Sequence, residues 1–353
     1  AVLLTSKKSS NSSIRGNAGF YGIDRWEGAA LDKDDFTMGK MFKKAGYQTA
    51  FVGKWHLDKP HELGTWAFNH GFDLAVQEQW SSRFEGKKYL PNRLWVNGSE
   101  DFIPYDYKKY DCKDHLRTDI ALDFLAKRKL NEPFFLFMSY RAPHSFEGPI
   151  RDTLNYLNTD WPDIEKAHAA KITLLDKQVG RLINKLKELG VLENTFILFT
   201  SDNGPHFARG GHDLEFFNSN GNFRGGKRDL YEGGIRVPLI AYWKNKIKPK
   251  SISHHVSGFQ DIMPTFAQAI NYEGLYKTDG ISFLPTLLIK EQPKHEYLNW
   301  EFQLSGWFQK IPNGGFRQSV RIGDFKAVRY NISSDIELYN IINDEGEKNN
   351  IAY

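Results

Sequence analysis

A continuous apolar run that ends abruptly in polar residues constrains the fold of this chain more than any other feature. Residues 196–199 are Phe, Ile, Leu and Phe, and Thr, Ser, Asp, Asn and Gly follow at 200–204. A β-branched and aromatic run without alternation predicts a strand buried on both faces, as in a parallel sheet. Asp202 and Asn203 then stand at its carboxyl end, where ligands bind in open α/β sheets. Taken alone, the segment also fits a simple turn, because Asp, Asn and Gly are common turn residues.

Two further apolar runs show the same arrangement. Residues 48–53 are followed by Lys54 and His56, and residues 133–139 are followed by a loop that ends in His144. Because the carboxyl ends of parallel strands share one edge of the sheet, we expect these groups to converge there. On extended backbone, Lys54 and His56 would also lie on one face. The pattern predicts an anion site beside a metal that prefers oxygen ligands, such as Ca²⁺ or Mg²⁺.

Helical patterns separate the apolar runs. Apolar residues recur at three- and four-residue spacing over 38–45, over 118–130 and over 172–189. Thr37 is the expected N-cap of the first helix, and Gly190 is expected to end the third. Repeated helix-then-strand units predict an α/β fold with a mostly parallel central sheet flanked by helices.

The pattern changes towards the C-terminus. Residues 318–322 and 325–329 flank Gly323-Asp324, which is a two-residue hairpin signal, and residues 337–340 add another short strand pattern. We interpret this region as a small antiparallel subdomain. The expected division is a catalytic domain over residues 1–288 and a C-terminal antiparallel subdomain over 289–353.

Composition excludes several classes of protein. The chain has 353 residues, 40% of them hydrophobic, and no apolar run approaches the length of a membrane span. The net charge is +4, and no basic run with interleaved aromatics favours nucleic-acid binding. Cys112 is the single cysteine, so an internal disulfide is excluded.

Several motifs together resemble the formylglycine-dependent sulfatases of the alkaline phosphatase superfamily. Residues 46–56 resemble the family signature G-Y-x-T-x-x-x-G-K-x-H. The other matching segments follow in the family's order: Ala-Pro-His at 142–144, Thr-Ser-Asp-Asn-Gly at 200–204, the glycine-rich 223–238, Asp-Ile-Met-Pro-Thr at 261–265, Asp-Gly-Ile-Ser at 279–282, and the tail around 337–350. The resemblance covers nearly the whole chain.

The resemblance implies roles for eight residues. Asp202 and Asn203 would bind one Ca²⁺. Catalytic roles fall to cationic and imidazole side chains, namely Lys54, His56, His144 and Lys227. Loop residues beside the motifs are candidates for substrate binding, namely Arg141 and His212. His206, which follows Pro205 after the metal motif, is expected to face solvent, with a place around the site as the alternative.

The nucleophile is the main departure from the family. In these sulfatases a Cys in a C-x-P-S-R motif is oxidised to formylglycine, whereas Cys112 is not followed by Pro-Ser-Arg and is expected to be a buried structural residue. The opening residues resemble those that follow the motif, so we expect the nucleophile to lie upstream of Ala1. Residues 1–353 alone are then expected to be inactive and less stable than a longer form. Activity of the short form would point to Cys112 or Ser201.

The expected function is therefore sulfuric ester hydrolysis on a sulfated sugar or polysaccharide. A formylglycine-generating maturation enzyme is an expected partner, and the family resemblance implies a periplasmic or secreted location. Two alternatives stay open from the residues. One is a phosphomonoesterase or phosphodiesterase of the same superfamily, and the other is a non-catalytic protein that binds sulfated glycans.

Overall fold

The protein was analysed as a computed structural model, which describes residues 1–20, 26–59, 62–78, 93–99, 101–106, 108–144, 155–206, 212–303 and 315–352. The helices are α1 (Val2–Thr5), α2 (Met38–Lys44), α3 (Lys113–Lys127), α4 (Asp163–Glu188), α5 (Glu232–Ile235), α6 (Ile262–Ala269) and α7 (Leu284–Leu287). The strands are β1 (Ala18–Phe20), β2 (Trp26–Gly28), β3 (Gln48–Lys54), β4 (Leu74–Glu78), β5 (Arg93–Val96), β6 (Phe102–Pro104), β7 (Phe134–Ser139), β8 (Ile197–Thr200), β9 (Leu239–Tyr242), β10 (Leu298–Gln303), β11 (Phe316–Ile322), β12 (Phe325–Arg329) and β13 (Glu337–Asn340). Short 3-10 turns lie at Ser9–Asn11, Leu63–Thr65, Ala67–His70, Leu192–Asn194 and Phe259–Asp261.

The chain divides into two compact units. Unit 1 comprises Ala1–Leu31, Phe196–Pro205 and Phe217–Tyr353, and unit 2 comprises Asp32–Thr195 and His206–Phe216. The predicted boundary between residues 288 and 289 is a different division and stays a prediction.

Unit 2 contains a five-stranded sheet in the order β6-β5-β4-β3-β7. Strand β3 pairs in parallel with both β4 and β7, whereas β5 and β6 extend the sheet in antiparallel fashion. The sheet is therefore mixed, within the α/β class that the sequence predicts. The internal strand β3 is buried over residues 49–53, as expected of a strand with both faces covered.

Helix α2 of unit 2 begins where capping chemistry predicts. Thr37 caps α2, since its hydroxyl accepts the backbone N–H of Lys40 at 3.3 Å. Cys112 is the residue before α3, and Pro162 is the residue before α4. Helices α3 and α4 are linked by an ion pair between Asp119 and Arg181, with 2.6 Å between oxygen and nitrogen. The apolar faces of these elements form one core, which includes Val52, Val76, Leu94, Leu116 and Ala121.

Unit 1 contains the antiparallel sheet β10-β11-β12-β13. Strands β11 and β12 form the predicted hairpin around Gly323, which has φ +56°. Strand β13 covers residues 337–340, as predicted. The buried side chains of this sheet pack against the segment before α5, in a core of Leu230, Tyr231, Val328, Tyr339 and Ile341.

Strand β8 forms where the apolar run predicts, but its described partner differs from the expected one. It pairs antiparallel with β9, with Phe199 opposite Ile240, and all four of its residues are only half-buried. An apolar run specifies that a strand is covered, yet it does not specify which strand lies beside it, because the partner is set by tertiary packing.

Among the residues that the structure describes, no helix combines the length and the apolar character needed to cross a bilayer.

Candidate active site

The end of strand β3 places Lys54 and His56 at the carboxyl edge of the unit 2 sheet. The residue between them, Trp55, is only 4% exposed, and its indole N–H donates to the carbonyl of Thr65 at 3.0 Å. Lys54 and His56 themselves are half-buried. His56 has φ +56°, a left-handed conformation that is uncommon for a residue with a side chain and is concentrated at functional sites.

Strand β7 approaches β3 closely at this edge. Gly53 has φ +132°, and an added Cβ there would lie 2.0 Å from the carbonyl oxygen of Ser139. The hydroxyl of Ser139 donates to the carbonyl of Lys54 at 2.7 Å. Glycine is therefore required at position 53 both by its conformation and by the neighbouring backbone.

The last residue of β4, Glu78, adds a buried negative charge beside Lys54. The two residues are in register between the parallel strands. Burial alone raises the pKa of Glu78, but the nearby Arg117, Arg141, Lys113 and Lys54 outweigh it, so the pKa is lowered. Glu78 is thus an anion that several cations surround.

A turn after β7 carries Arg141 and His144. The backbone N–H of His144 donates to the carbonyl of Arg141 at 2.9 Å, and the Ala142–Pro143 peptide is cis. Arg141 is 7% exposed, and its guanidinium lies 3.5 Å from the Glu78 carboxylate. This placement favours a role for Arg141 in holding the turn over direct contact with a substrate.

The half-buried His144 lies beside His206. Their ring centroids are 6.0 Å apart, with 25° between the ring planes. Of the two sequence-based alternatives for His206, this position fits a place around the site.

Asp202 and Asn203 lie in unit 1, directly after β8. Asp202 is exposed and Asn203 is half-buried. The next residue, Gly204, is fixed by backbone contact, because its N–H donates to the carbonyl of Gly234 at 3.0 Å. An added Cβ on Gly204 would lie 1.8 Å from the carbonyl oxygen of Gly233. The strand end is thus held at a fixed place against the glycine-rich segment.

The glycine-rich segment also brings Lys227 to the Asp-Asn motif. The backbone N–H of Lys227 donates to the carbonyl of Pro205 at 2.7 Å. Gly225, two residues earlier, has φ +77°, which favours glycine. Unit 1 therefore brings together three predicted site residues: Asp202, Asn203 and Lys227.

His212 lies elsewhere in unit 2, against helix α4. It is 4% exposed, its Nδ1 lies 3.4 Å from the Glu165 carboxylate, and its ring stacks on His168 with 3.6 Å between centroids. Glu165 also accepts the backbone N–H of Asp213 at 2.7 Å. The placement favours a role for His212 in attaching its segment to α4 over contact with a substrate.

Helix α3 supplies residues that the sequence-based interpretation missed. Asp114, in its first turn, is fully buried and accepts the backbone N–H groups of Arg141 and Ala142. Arg117 is fully buried and pairs with Asp114 and Glu78. The sequence carries no local signal for this role, because an Asp and an Arg three apart at a helix start are equally typical of an exposed ion pair.

In the described part of the chain, no three His, Cys, Asp or Glu side chains lie close enough to hold a metal ion together. Asp202 and Asn203 supply a carboxylate and an amide oxygen, which are hard donors suited to Ca²⁺ but fewer than the six to eight ligands that it takes.

Known proteins resemble this chain in sequence and fold. The chain is 33% identical to an arylsulfatase of Hemicentrotus pulcherrimus over 86% of its length and 53% of that protein. It is 30% identical to the N-acetylgalactosamine-6-sulfatase of Mus musculus over 73% of its length and 50% of that protein. The chain thus spans about half the length of the curated relatives it matches.

A solved structure shows the same fold. The crystal structure of Ps i-CgsB in complex with k-i-k-neocarrahexaose superposes with a TM-score of 0.79 at 22% identity, covering 99% of this chain and 76% of that one.

The family model described as Sulfatase matches residues 1–272. With most of its length inside that match, the chain belongs to the sulfatase family.

Proposed function

We propose that this chain provides catalytic residues of a sulfuric ester hydrolase that acts on a sulfated sugar or polysaccharide. The observation that carries the proposal is the carboxyl edge of the parallel strands β3 and β7. There Lys54, His56 and the His144 turn follow adjacent paired strands, in a member of the sulfatase family.

The chemistry of sulfate esters requires the groups that these strands present. The sulfate group is an anion, and its hydrolysis puts further charge on the leaving oxygen. Fixed positive charge therefore lowers the barrier, and a proton donor is needed for the leaving group. Lys54 and Lys227 would supply the charge. His144 and His56 would orient the nucleophile and protonate the leaving oxygen, because imidazole can do either near neutral pH.

Calcium is part of the proposal. Asp202 and Asn203 would contribute two of its ligands, and the fixed backbone at Gly204 supports a constant ligand position. The cation, when bound, would withdraw electron density from a sulfate oxygen.

The proposed nucleophile is a formylglycine that residues 1–353 do not supply. Cys112 is 3% exposed and is followed by Lys113, Asp114 and His115 instead of a C-x-P-S-R continuation. A buried thiol in such surroundings behaves as a small apolar residue. A formylglycine-generating enzyme is the proposed maturation partner.

The proposed substrate class is supported by the names of similar proteins. One is an N-acetylgalactosamine-6-sulfatase, and a structural neighbour was solved with a neocarrahexaose. A sulfated glycan is thus favoured over a phosphate ester. A periplasmic or secreted location would bring the protein to such glycans.

The test is sulfate release by the protein expressed from its complete coding sequence, together with a formylglycine-generating enzyme. Sulfated glycans, an aryl sulfate and an aryl phosphate are compared. Lys54→Ala should lower kcat/KM at least 100-fold, because removing one preorganised charge costs about 3 kcal/mol or more. Lys129→Ala is the matched control, since Lys129 is 73% exposed and its ammonium pairs with the exposed Glu132 three residues away. Full activity of Lys54→Ala, or faster phosphate release, would contradict the proposal.

A further inference from the structure

The turn that carries His144 is held by a carboxylate from a distant helix. Asp114 accepts the backbone N–H of Ala142 at 2.8 Å, and each of its oxygens lies 3.2 Å from the backbone nitrogen of Arg141. Asp114 is fully buried, so water does not compete for these hydrogen bonds. The backbone leaving β7 is thereby attached to helix α3 at two consecutive amides.

A set of buried charges orients that carboxylate. Arg117 stands one helical turn after Asp114, is fully buried, and bridges Asp114 to Glu78. Arg141 approaches the same Glu78 from the turn, at 3.5 Å. Two carboxylates thus face two guanidinium groups, and Lys113 and Lys54 add positive charge near Glu78. Removing one member would leave a buried charge uncompensated, which is far more costly than losing a surface pair.

The same cluster reaches the other predicted catalytic strand. Glu78 is in register with Lys54, and Lys54 is among the cations that lower the pKa of Glu78. The buried charges thus connect the end of β3, the end of β4 and the turn after β7. A displacement of Asp114 would be transmitted first to Arg141 and Ala142, and through the Arg141–His144 hydrogen bond to His144.

We propose that Asp114, oriented by Arg117 and Glu78, is a positioning residue that fixes the turn carrying His144 for sulfate ester hydrolysis. The proposal rests on the catalytic role proposed for His144. Asp114 acts through backbone amides two and three residues away from that histidine. Displacing a catalytic group by about 1 Å can cost about 100-fold in rate. The hydrogen bonds of Asp114 should therefore affect the reaction rate separately from the stability of the fold.

The first variant is Asp114→Asn, which keeps the size of the side chain and removes its charge. It should lower kcat about 10- to 100-fold on an aryl sulfate while KM changes less than about threefold, because a misplaced catalytic group affects the transition state more than substrate binding. The pH profile of kcat should also change on the limb that His144→Ala removes. Asp119→Asn is the matched control, since Asp119 lies on the same helix in an ion pair with Arg181 that is about one-third exposed. It should keep wild-type kcat and pH profile.

The decisive measurement is a double-mutant cycle. If Asp114 acts through His144, adding Asp114→Asn to His144→Ala should reduce kcat by less than about twofold beyond His144→Ala alone. An equal fold loss in both backgrounds would overturn the proposal, as would wild-type kcat in Asp114→Asn.

If that variant does not fold, Arg117→Lys decides, because it keeps the charge but loses the fork that joins Asp114 to Glu78. Wild-type kcat in Arg117→Lys would then overturn the proposal. Failure of the proposed function is a different result, namely no sulfate release by the wild-type protein from any sulfate ester.

Discussion

The two units hold their predicted site residues by different interactions. In unit 2, the turn with Arg141 and His144 is anchored by a buried carboxylate inside a charge cluster. In unit 1, the Asp202-Asn203 strand end is anchored by backbone packed on backbone, at Gly204 and Gly234. The first arrangement depends on charges that must all be present, and the second depends on side chains that must be absent. The two regions should therefore fail under different substitutions.

Unit 1 also contains a buried charge set, which is centred on a lysine of strand β12 in its C-terminal sheet. Lys326 is fully buried, and its ammonium lies 3.0 Å from both the Glu232 and the Glu347 carboxylates. Glu232 begins α5, and its backbone N–H donates to Glu347 at 2.6 Å. Removing a charge from this set is expected to damage the fold of unit 1 without touching the backbone anchor at Gly204.

The largest expected effect is that of Lys326→Met. It leaves the buried Glu347 carboxylate without Lys326 and leaves Glu232 with the exposed Arg236 as its ion-pair partner, so it should lower the free energy of unfolding by about 3–5 kcal/mol at pH 7.5. Burial already raises the pKa of Glu347 despite Lys326 beside it. Without the lysine, proton uptake by the carboxylates should relieve part of the loss as pH falls. Urea unfolding at pH 7.5 and 5.5 checks both statements, and an equal loss at both pH values would contradict the second.

A second substitution tests the backbone anchor itself. Gly204→Ala would place a Cβ 1.8 Å from the Gly233 carbonyl oxygen, so the strand end or the glycine-rich segment must move. We expect a loss of about 2–3 kcal/mol, at the upper end of overpacking, together with a smaller stabilisation by added Ca²⁺. The readout is the thermal midpoint with and without calcium. Asp202→Ala should lose the calcium response with little change in the calcium-free midpoint.

Gly180→Ala is the control for adding a methyl group. Gly180 lies inside helix α4, and an added Cβ there meets nothing within 4 Å. This variant should gain up to about 1 kcal/mol, since alanine is the better helix former. Equal losses in the two glycine variants would show that the contact with Gly233 is not what makes position 204 sensitive.

Local patterns predicted the elements of both units but not the interactions that anchor the site. The N-cap at Thr37, the strand over residues 48–53 and the hairpin around Gly323 depend on neighbouring residues, and these predictions are confirmed, with the strand extending one residue further to Lys54. Asp114 contacts amides 27 and 28 residues away, and Arg117 contacts a carboxylate 39 residues away. No local period encodes such pairs, because they arise only once helix α3 packs beside the sheet edge.

The same limit explains His212 and β8. His212 follows a glycine pair in a loop-like sequence, which suggested exposure to substrate, but Glu165 and His168 on a preceding helix bury it. Glu165 and His168 are three apart on α4 and therefore lie on one face of it. For β8, the apolar run predicted the strand, whereas its antiparallel pairing with β9 depends on chain segments about 40 residues apart.

A further prediction concerns the stability of unit 2 at acid pH. Burial, together with the neighbouring His212 and Lys171, lowers the pKa of His168 from its usual 6.5 to about 4. A histidine whose pKa is lowered by folding contributes stability that is fully present above about pH 6.5 and is lost as pH falls towards 4. Because the ring is only half-buried, solvent screening reduces the expected loss at pH 4.5 to about 1–2 kcal/mol. His168→Phe keeps a ring on His212 and removes the titration, so the difference in unfolding free energy between pH 7.5 and 4.5 should be smaller in that variant than in the wild type.

Amide hydrogen exchange should locate the loss in residues 212–216, because Glu165 and His168 attach that segment to α4. An identical pH dependence in His168→Phe would place the acid sensitivity elsewhere in the chain.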